Sequence, residues 1–192
     1  EHRDLFRTFK NEILQNFKGY QVPVIALSPD TSHEAVCLVF EKVNTGGKPL
    51  DAFELVTAMY AAKGHRLRDD WLGADGQPGL QHRLQVYGRA AEQKFGVLEK
   101  VASTDVLQAI ALVHGAKTRE KEIAEGRKES ELSAVRASRQ SLLDLPLDAY
   151  LEHRHAVEEG FKTAARFLRQ HHIYRVIDLP YQGQLVPFAA IL

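Results

Sequence analysis

The stretch from Ala35 to Ala62 constrains this chain more than any other. Ala35, Val36, Val39, Phe40 and Val43 recur at helical spacing, and Asn44-Thr45-Gly46-Gly47 then breaks the pattern. Asn and Gly tolerate the left-handed backbone that closes a helix, so this tetrapeptide reads as a C-cap followed by a tight turn. Pro49 bars immediate re-entry into a helix. Asp51 supplies an N-cap, and Glu54, three residues on, completes a capping-box pair ahead of Leu55, Ala58 and Met59. These residues dictate two helices joined by a polar, glycine-lined bend.

The rest of the chain is mostly helical in pattern. Phe6, Phe9, Ile13 and Phe17 form one stripe of an amphipathic helix over Leu5 to Phe17, with Leu14 beside it, and Gly19 ends it. Tyr20 to Leu27 is rich in Val and Ile, and its weak alternation predicts an edge strand that accommodates Pro23. Gly64 to Gly79 holds most of the turn residues, interrupted by a short piece from Leu67 to Leu72. Helical pattern resumes near Leu80 and runs to about Val101, with breaks at Gly88 and Gly96. Ser103-Thr104-Asp105 caps an apolar segment, Val106 to Val113. Lys117 to Glu131 is almost all charged or small, which suggests a solvated helix extension or a mobile loop. Leu147 to Gln170 reads as a long helix with Tyr150, Leu151, Val157, Phe161, Ala164, Ala165 and Leu168 on its buried face. Ile173 to Pro180 is irregular, and Gln184 to Leu192 starts another helix.

Composition removes several function classes. Lys plus Arg and Asp plus Glu both number 25, so no global charge pulls the chain toward nucleic acid. The single cysteine, Cys37, excludes an intrachain disulfide and a cysteine-based zinc site, and its apolar neighbours suit a small buried hydrophobe. No apolar run approaches the roughly 20 residues that span a bilayer, which argues for a cytoplasmic protein without membrane contact.

Candidate chemistry is sparse. Gly46-Gly47-Lys48 invites a phosphate-loop reading, but Pro49 stands where Ser or Thr is needed and a helix, not a strand, leads in. Local chemistry therefore favours structural capping over ligand contact. His153 and His155 diverge by roughly 200° on a helix and cannot share an ion. No His-Glu-x-x-His or Gly-x-Ser-x-Gly pattern occurs, and no metal ligands or catalytic residues are assigned. Arg166, Arg169 and Arg175 form a modest basic cluster. A solvated face explains it, with phosphate contact by Arg166 and Arg169, three residues apart, as the alternative.

The string Phe40-x-x-x-Asn44-x-Gly46-Gly47-x-Pro49-Leu50-x-x-x-Glu54-Leu55 closely resembles the N-terminal domain of GmrSD-type restriction endonucleases, a ParB/sulfiredoxin-like family. Tyr20-Gln21-Val22-Pro23-Val24-Ile25 precedes it in the family's order. Leu179-Pro180-Tyr181-Gln182 and Leu185-Val186-Pro187 follow near the end. Between Ala61 and Ala165 the likeness is only to a helical pattern. The family's Asp-Gly-Gln-Gln-Arg motif, upstream of the Phe-x-x-x-Asn element, does not occur. Asp75-Gly76-Gln77-Pro78 begins like it but lies downstream, by coincidence.

The resemblance implies a mainly α chain: a helical subdomain, residues 63–192, joined to residues 1–62. The latter form part of an incomplete ParB/sulfiredoxin-like α+β core with one short strand. It implies a domain that binds and hydrolyses a nucleoside triphosphate with Mg, and thereby regulates a nuclease module elsewhere in the polypeptide of a prokaryotic phage-defence protein. Asn44, Gly46, Gly47 and Lys48 would line the nucleotide pocket. DNA would be a partner, and an open edge on the strand would allow self-association. The start on Glu1 and the apolar end Phe188 to Leu192 suggest a central fragment that needs no cofactor and is inactive by itself. A non-catalytic helical module binding DNA or a partner protein is the alternative.

Overall fold

The computed structural model describes residues 2–21, 24, 26, 28, 31, 35, 39, 50–88 and 96–192. Two compact units divide between Ser32 and His33. In the first, α1 (His2–Thr8), a π-helical stretch (Phe9–Leu14) and α2 (Gln15–Gly19) follow one another as the sequence pattern requires. The apolar stripe is exposed, from 46% at Phe9 to 82% at Phe17.

The strand expected over Tyr20 to Leu27 is a correction. Tyr20, Gln21, Val24 and Ala26, its described residues, have no regular secondary structure, and Val24 is 84% exposed. Val and Ile favour a strand only where another strand supplies the ladder, and no described residue pairs with this stretch. Val22, Pro23, Ile25 and Leu27 lie outside the described residues, and the strand edge expected to support self-association has no described counterpart. The helix end at Ala35 to Val43, with the bend Asn44 to Pro49, also lies largely outside them; only Ala35 and Val39 are described, both helical.

Among its described residues, the regular structure of the second unit is helical apart from one small hairpin. Its first helix with described bounds is α3 (Ala52–Ala61). The capping box forms as its sequence requires: Glu54 N–H donates to Asp51 Oδ1 at 2.8 Å, and Asp51 N–H donates to Glu54 Oε2 at 3.0 Å. α4 (Leu67–Leu72) leads into β1 (Gly73–Ala74), which pairs antiparallel with β2 (Gln77–Pro78) in the register Gly73 with Pro78 and Ala74 with Gln77. Asp75 and Gly76 form the turn at φ of 51° and 77°, the conformation that Asp-Gly pairs favour in two-residue hairpins. Here the Gly/Pro-rich region makes a sheet where the sequence suggested only a loop.

α5 (Leu80–Gly88), α6 (Ser103–Ala124), α7 (Arg139–Leu143), α8 (Leu147–Gln170) and α9 (Leu185–Ile191) complete the body. α6 begins at Ser103, the first residue of the Ser-Thr-Asp signal. Its N-cap is Ala102, whose N–H donates to Asp105 Oδ2 at 2.8 Å. α6 also carries straight through Lys117 to Ala124, so the first half of the charged stretch is the helix extension, not the loop. Glu122 fixes it. Its carboxylate accepts from Ser133 N at 2.6 Å, Ser133 Oγ at 2.7 Å and Arg127 at 3.1 Å, and it is buried.

α8 is the hub, packed against α5, α6 and α9. Tyr150, Val157, Phe161, Ala164, Ala165 and Leu168 are buried as its pattern predicts, while Leu151 is 38% exposed. Phe53, Trp71, Leu84, Ile110, Leu142 and Leu185 join Tyr150, Val157, Phe161, Ala165 and Leu168 in one core. Burying a side chain of this class contributes about 1.5–3 kcal/mol, so stability comes from this shared core, not from any single helix.

Candidate functional site

The described residues enclose one polar hollow of about 240 Å³ between the β1–β2 hairpin, the end of α4, the start of α5 and one side of α8. Two charge clusters build its walls. At one, Arg83 on α5 makes two parallel hydrogen bonds to Glu158 on α8, Nε to Oε1 at 2.9 Å and Nη2 to Oε2 at 2.8 Å. Its Nη1 donates to Pro78 O at 2.8 Å, tying the second strand of the hairpin to the same guanidinium. Lys162, one turn further along α8, reaches Glu158 at 3.0 Å. Burial opposes the Glu158 charge, but the hydrogen bonds from Arg83 and Lys162 outweigh it and hold the carboxyl below its ordinary range.

At the other cluster, Asp70 on α4 gathers three donors on one oxygen. Tyr150 OH donates to Oδ2 at 2.9 Å, Arg154 Nη1 at 2.8 Å and His65 Nε2 at 2.9 Å. Burial, reinforced by the Asp70 carboxylate, pushes the Tyr150 phenol far up, so it stays a donor. Arg154 Nε is buried with no hydrogen-bond partner among the described residues. The Tyr60, His65 and Tyr150 rings lie with centroids 5.6–6.2 Å apart and fix the imidazole that faces Asp70.

Two glycines let the hairpin sit where it does. Gly73 has φ of 96°, and a Cβ there would meet the backbone of Gln77 and Gly79. A Cβ on Gly79 would meet the backbone of Trp71 and Gly73. Neither position admits a side chain.

None of the sequence-assigned residues that are described lines this hollow. Asn44, Gly46, Gly47 and Lys48 are outside the described residues, as is Cys37. Arg166 donates to Thr163 Oγ1 at 2.8 Å, and Arg169 reaches Tyr87 O at 3.4 Å. Arg175 pairs with Asp178 through Nε at 3.3 Å and Nη2 at 3.0 Å, so each arginine has a partner within the fold. His153 and His155 face opposite ways, as helical geometry requires: His153 is buried, and His155 is exposed and lines the hollow. No group of three or more His, Cys, Asp or Glu among the described residues could hold a metal ion. No helix among the described residues is long and apolar enough to cross a membrane.

Sequence reasoning passed over Asp70, Arg83, Tyr150, Arg154 and Glu158. The signal it had was slight: Arg154, Glu158 and Lys162 recur at four-residue spacing, which marks one face of α8 but equally fits solvated pairs. Nothing in the chain's order announces that Arg83 and Asp70 close on that face from other helices. Comparison of the chain with protein-family models, curated proteins and solved structures finds no match.

Proposed function

We propose that this chain forms the helical body of a GmrSD-like regulatory domain in a prokaryotic, cytoplasmic DNA-restriction protein. The domain binds and hydrolyses a nucleoside triphosphate with Mg and so controls a nuclease module of the same polypeptide. The observation that carries the reading is the ordered set of three sequence landmarks around Tyr20, Asn44 and Leu179 to Pro187. Packing is consistent with it. Leu50, Phe53 and Leu55, the downstream part of the second landmark, share one core with Leu179, Leu185 and Val186 of the third. Residues 135 positions apart from Leu50 to Leu185 thus serve one body, as the remnants of a single domain would. Asn44, Gly46, Gly47 and Lys48 form one wall of the nucleotide pocket in this reading.

The test is made in the intact polypeptide with ATP, GTP, CTP and UTP in the presence of Mg. Asn44→Gly keeps a residue suited to closing a helix but removes an amide that offers both donor and acceptor. It should leave the melting temperature nearly unchanged while weakening nucleotide binding or turnover. Gly47→Val, which forces a β-branched residue into a glycine turn, should instead damage folding. Undiminished affinity and turnover in a folded Asn44→Gly protein, or no affinity of the intact protein for any of the four nucleotides, would overturn the reading.

A further inference from the structure

We propose that the hollow between the β1–β2 hairpin and α8 binds a small zwitterion the size of a free amino acid. The carboxylates of Asp69 and Asp70 would hold its ammonium pole, and Arg154 and His155 its carboxylate pole. This proposal does not rest on the nucleotide reading.

The hollow is a constructed one. Its walls come from four elements, and each is fastened: the hairpin and α5 to α8 through Arg83, Pro78 O and Glu158, and α4 to α8 through Asp70, Tyr150 and Arg154. Such pre-organisation lowers the entropic cost of binding, because the polar groups are already in place.

Unused hydrogen-bonding capacity decides what the hollow can take. All three donors to Asp70 arrive on Oδ2, and Oδ1 has no partner among the described residues. Among the described residues the Asp69 carboxylate meets only Arg66, at 3.1 Å, and Arg66 is 83% exposed, where solvent screens the pair. On the opposite side, Arg154 gives Asp70 a single N–H, and the His155 ring makes no hydrogen bond to a described residue. Spare acceptors therefore stand on α4 and spare donors on α8.

Charge narrows the class. Asp69, Asp70 and Glu158 line the hollow together with Arg83, Arg154 and His155, and Lys162 reaches Glu158 from outside the lining, so groups of both signs face the hollow. A simple cation would meet the spare carboxylate oxygens but leave the free N–H groups of Arg154 unanswered, and a simple anion would do the reverse. A molecule with both charges meets both sets. Size narrows it further. About 240 Å³ lies below the roughly 300–1,000 Å³ of drug-sized sites. It accommodates one amino acid and is too small for a nucleoside triphosphate.

The test is a thermal-shift screen of the intact protein against the twenty free L-amino acids, with titration calorimetry of those that raise Tm. Acetate and methylamine serve as single-pole controls. At least one amino acid should raise Tm saturably, and neither control should match it. His155→Ala and Asp69→Asn remove groups that fasten no element, and each should weaken the bound amino acid about tenfold or more without lowering Tm in its absence. The proposal is overturned if no amino acid binds, if acetate or methylamine binds as tightly, or if both variants bind undiminished. Should a variant lower the basal Tm, the single-pole controls on the unaltered protein decide.

Discussion

The backbone carbonyl of Ala189 occupies the space that a Cβ on Gly160 would need, with the Ala189 carbonyl carbon 2.9 Å from that point. α8 and α9 therefore cross at backbone contact. A methyl group there must push the two helices apart. Gly160→Ala should destabilise the protein by about 1–3 kcal/mol in urea unfolding, although Ala is the better helix former. A neutral or stabilising outcome would mean that the crossing is looser than this.

The Arg83–Glu158 pair joins α5 and the hairpin to α8. Arg83→Met removes three hydrogen bonds and should cost about 1–3 kcal/mol, toward the lower figure because Arg83 is 40% exposed. Lys162→Met should cost less, since Arg83 still satisfies both Glu158 oxygens. Because the folded state holds Glu158 below its ordinary range, its contribution is full above that range and fades as pH falls through it. Urea midpoints that decline on acidification in the native protein but less in Arg83→Met would show this linkage.

His153 carries an opposite handle on pH. Burial depresses its pKa, Glu152 opposes that, and Lys117 and His114 add to it, the His114 ring lying 6.0 Å away across the α6–α8 seam. The unfolded chain therefore takes up the proton first. Stability should fall as pH drops below the ordinary imidazole value of about 6.5, down to the depressed folded value. His153→Leu should flatten the urea midpoint across that interval. An unchanged slope would assign the effect to another group.

Glu122 and Ser133 tie the end of α6 to the segment that follows. Ser133→Ala leaves the backbone donor but removes the hydroxyl, and Glu122→Ala removes both bonds. Amide exchange at Lys121 to Ala124 should quicken slightly in the first variant and strongly in the second. Equal exchange in the two would show that the helix end holds without the carboxylate.

Much of the architecture was legible along the chain. The Asp51/Glu54 capping box and α8 from Leu147 to Gln170 follow from signals only a few residues long. Such signals act through local backbone and side-chain chemistry, so reading them needs no knowledge of the partner. What could not be read there has the opposite cause. Tyr20 to Leu27 has the composition of a strand, but a strand exists only through its neighbour. For Lys117 to Glu131 the sequence left a helix extension and a loop both open, and a single buried carboxylate on Ser133 anchors the part that is the helix extension.

By itself the sequence determined a mainly helical chain, the faces its longer helices bury, and the ordered landmarks on which the nucleotide reading rests. Tertiary structure alone decided that Asp70 from α4, Arg83 from α5 and Arg154 with Glu158 from α8 surround one hollow. Asp70 and Arg154 are 84 positions apart, and Arg83 and Glu158 are 75. Helix periodicity fixes which residues share a face within a few turns. Which faces meet depends on how the whole apolar core packs, a property of the folded chain that no local pattern encodes.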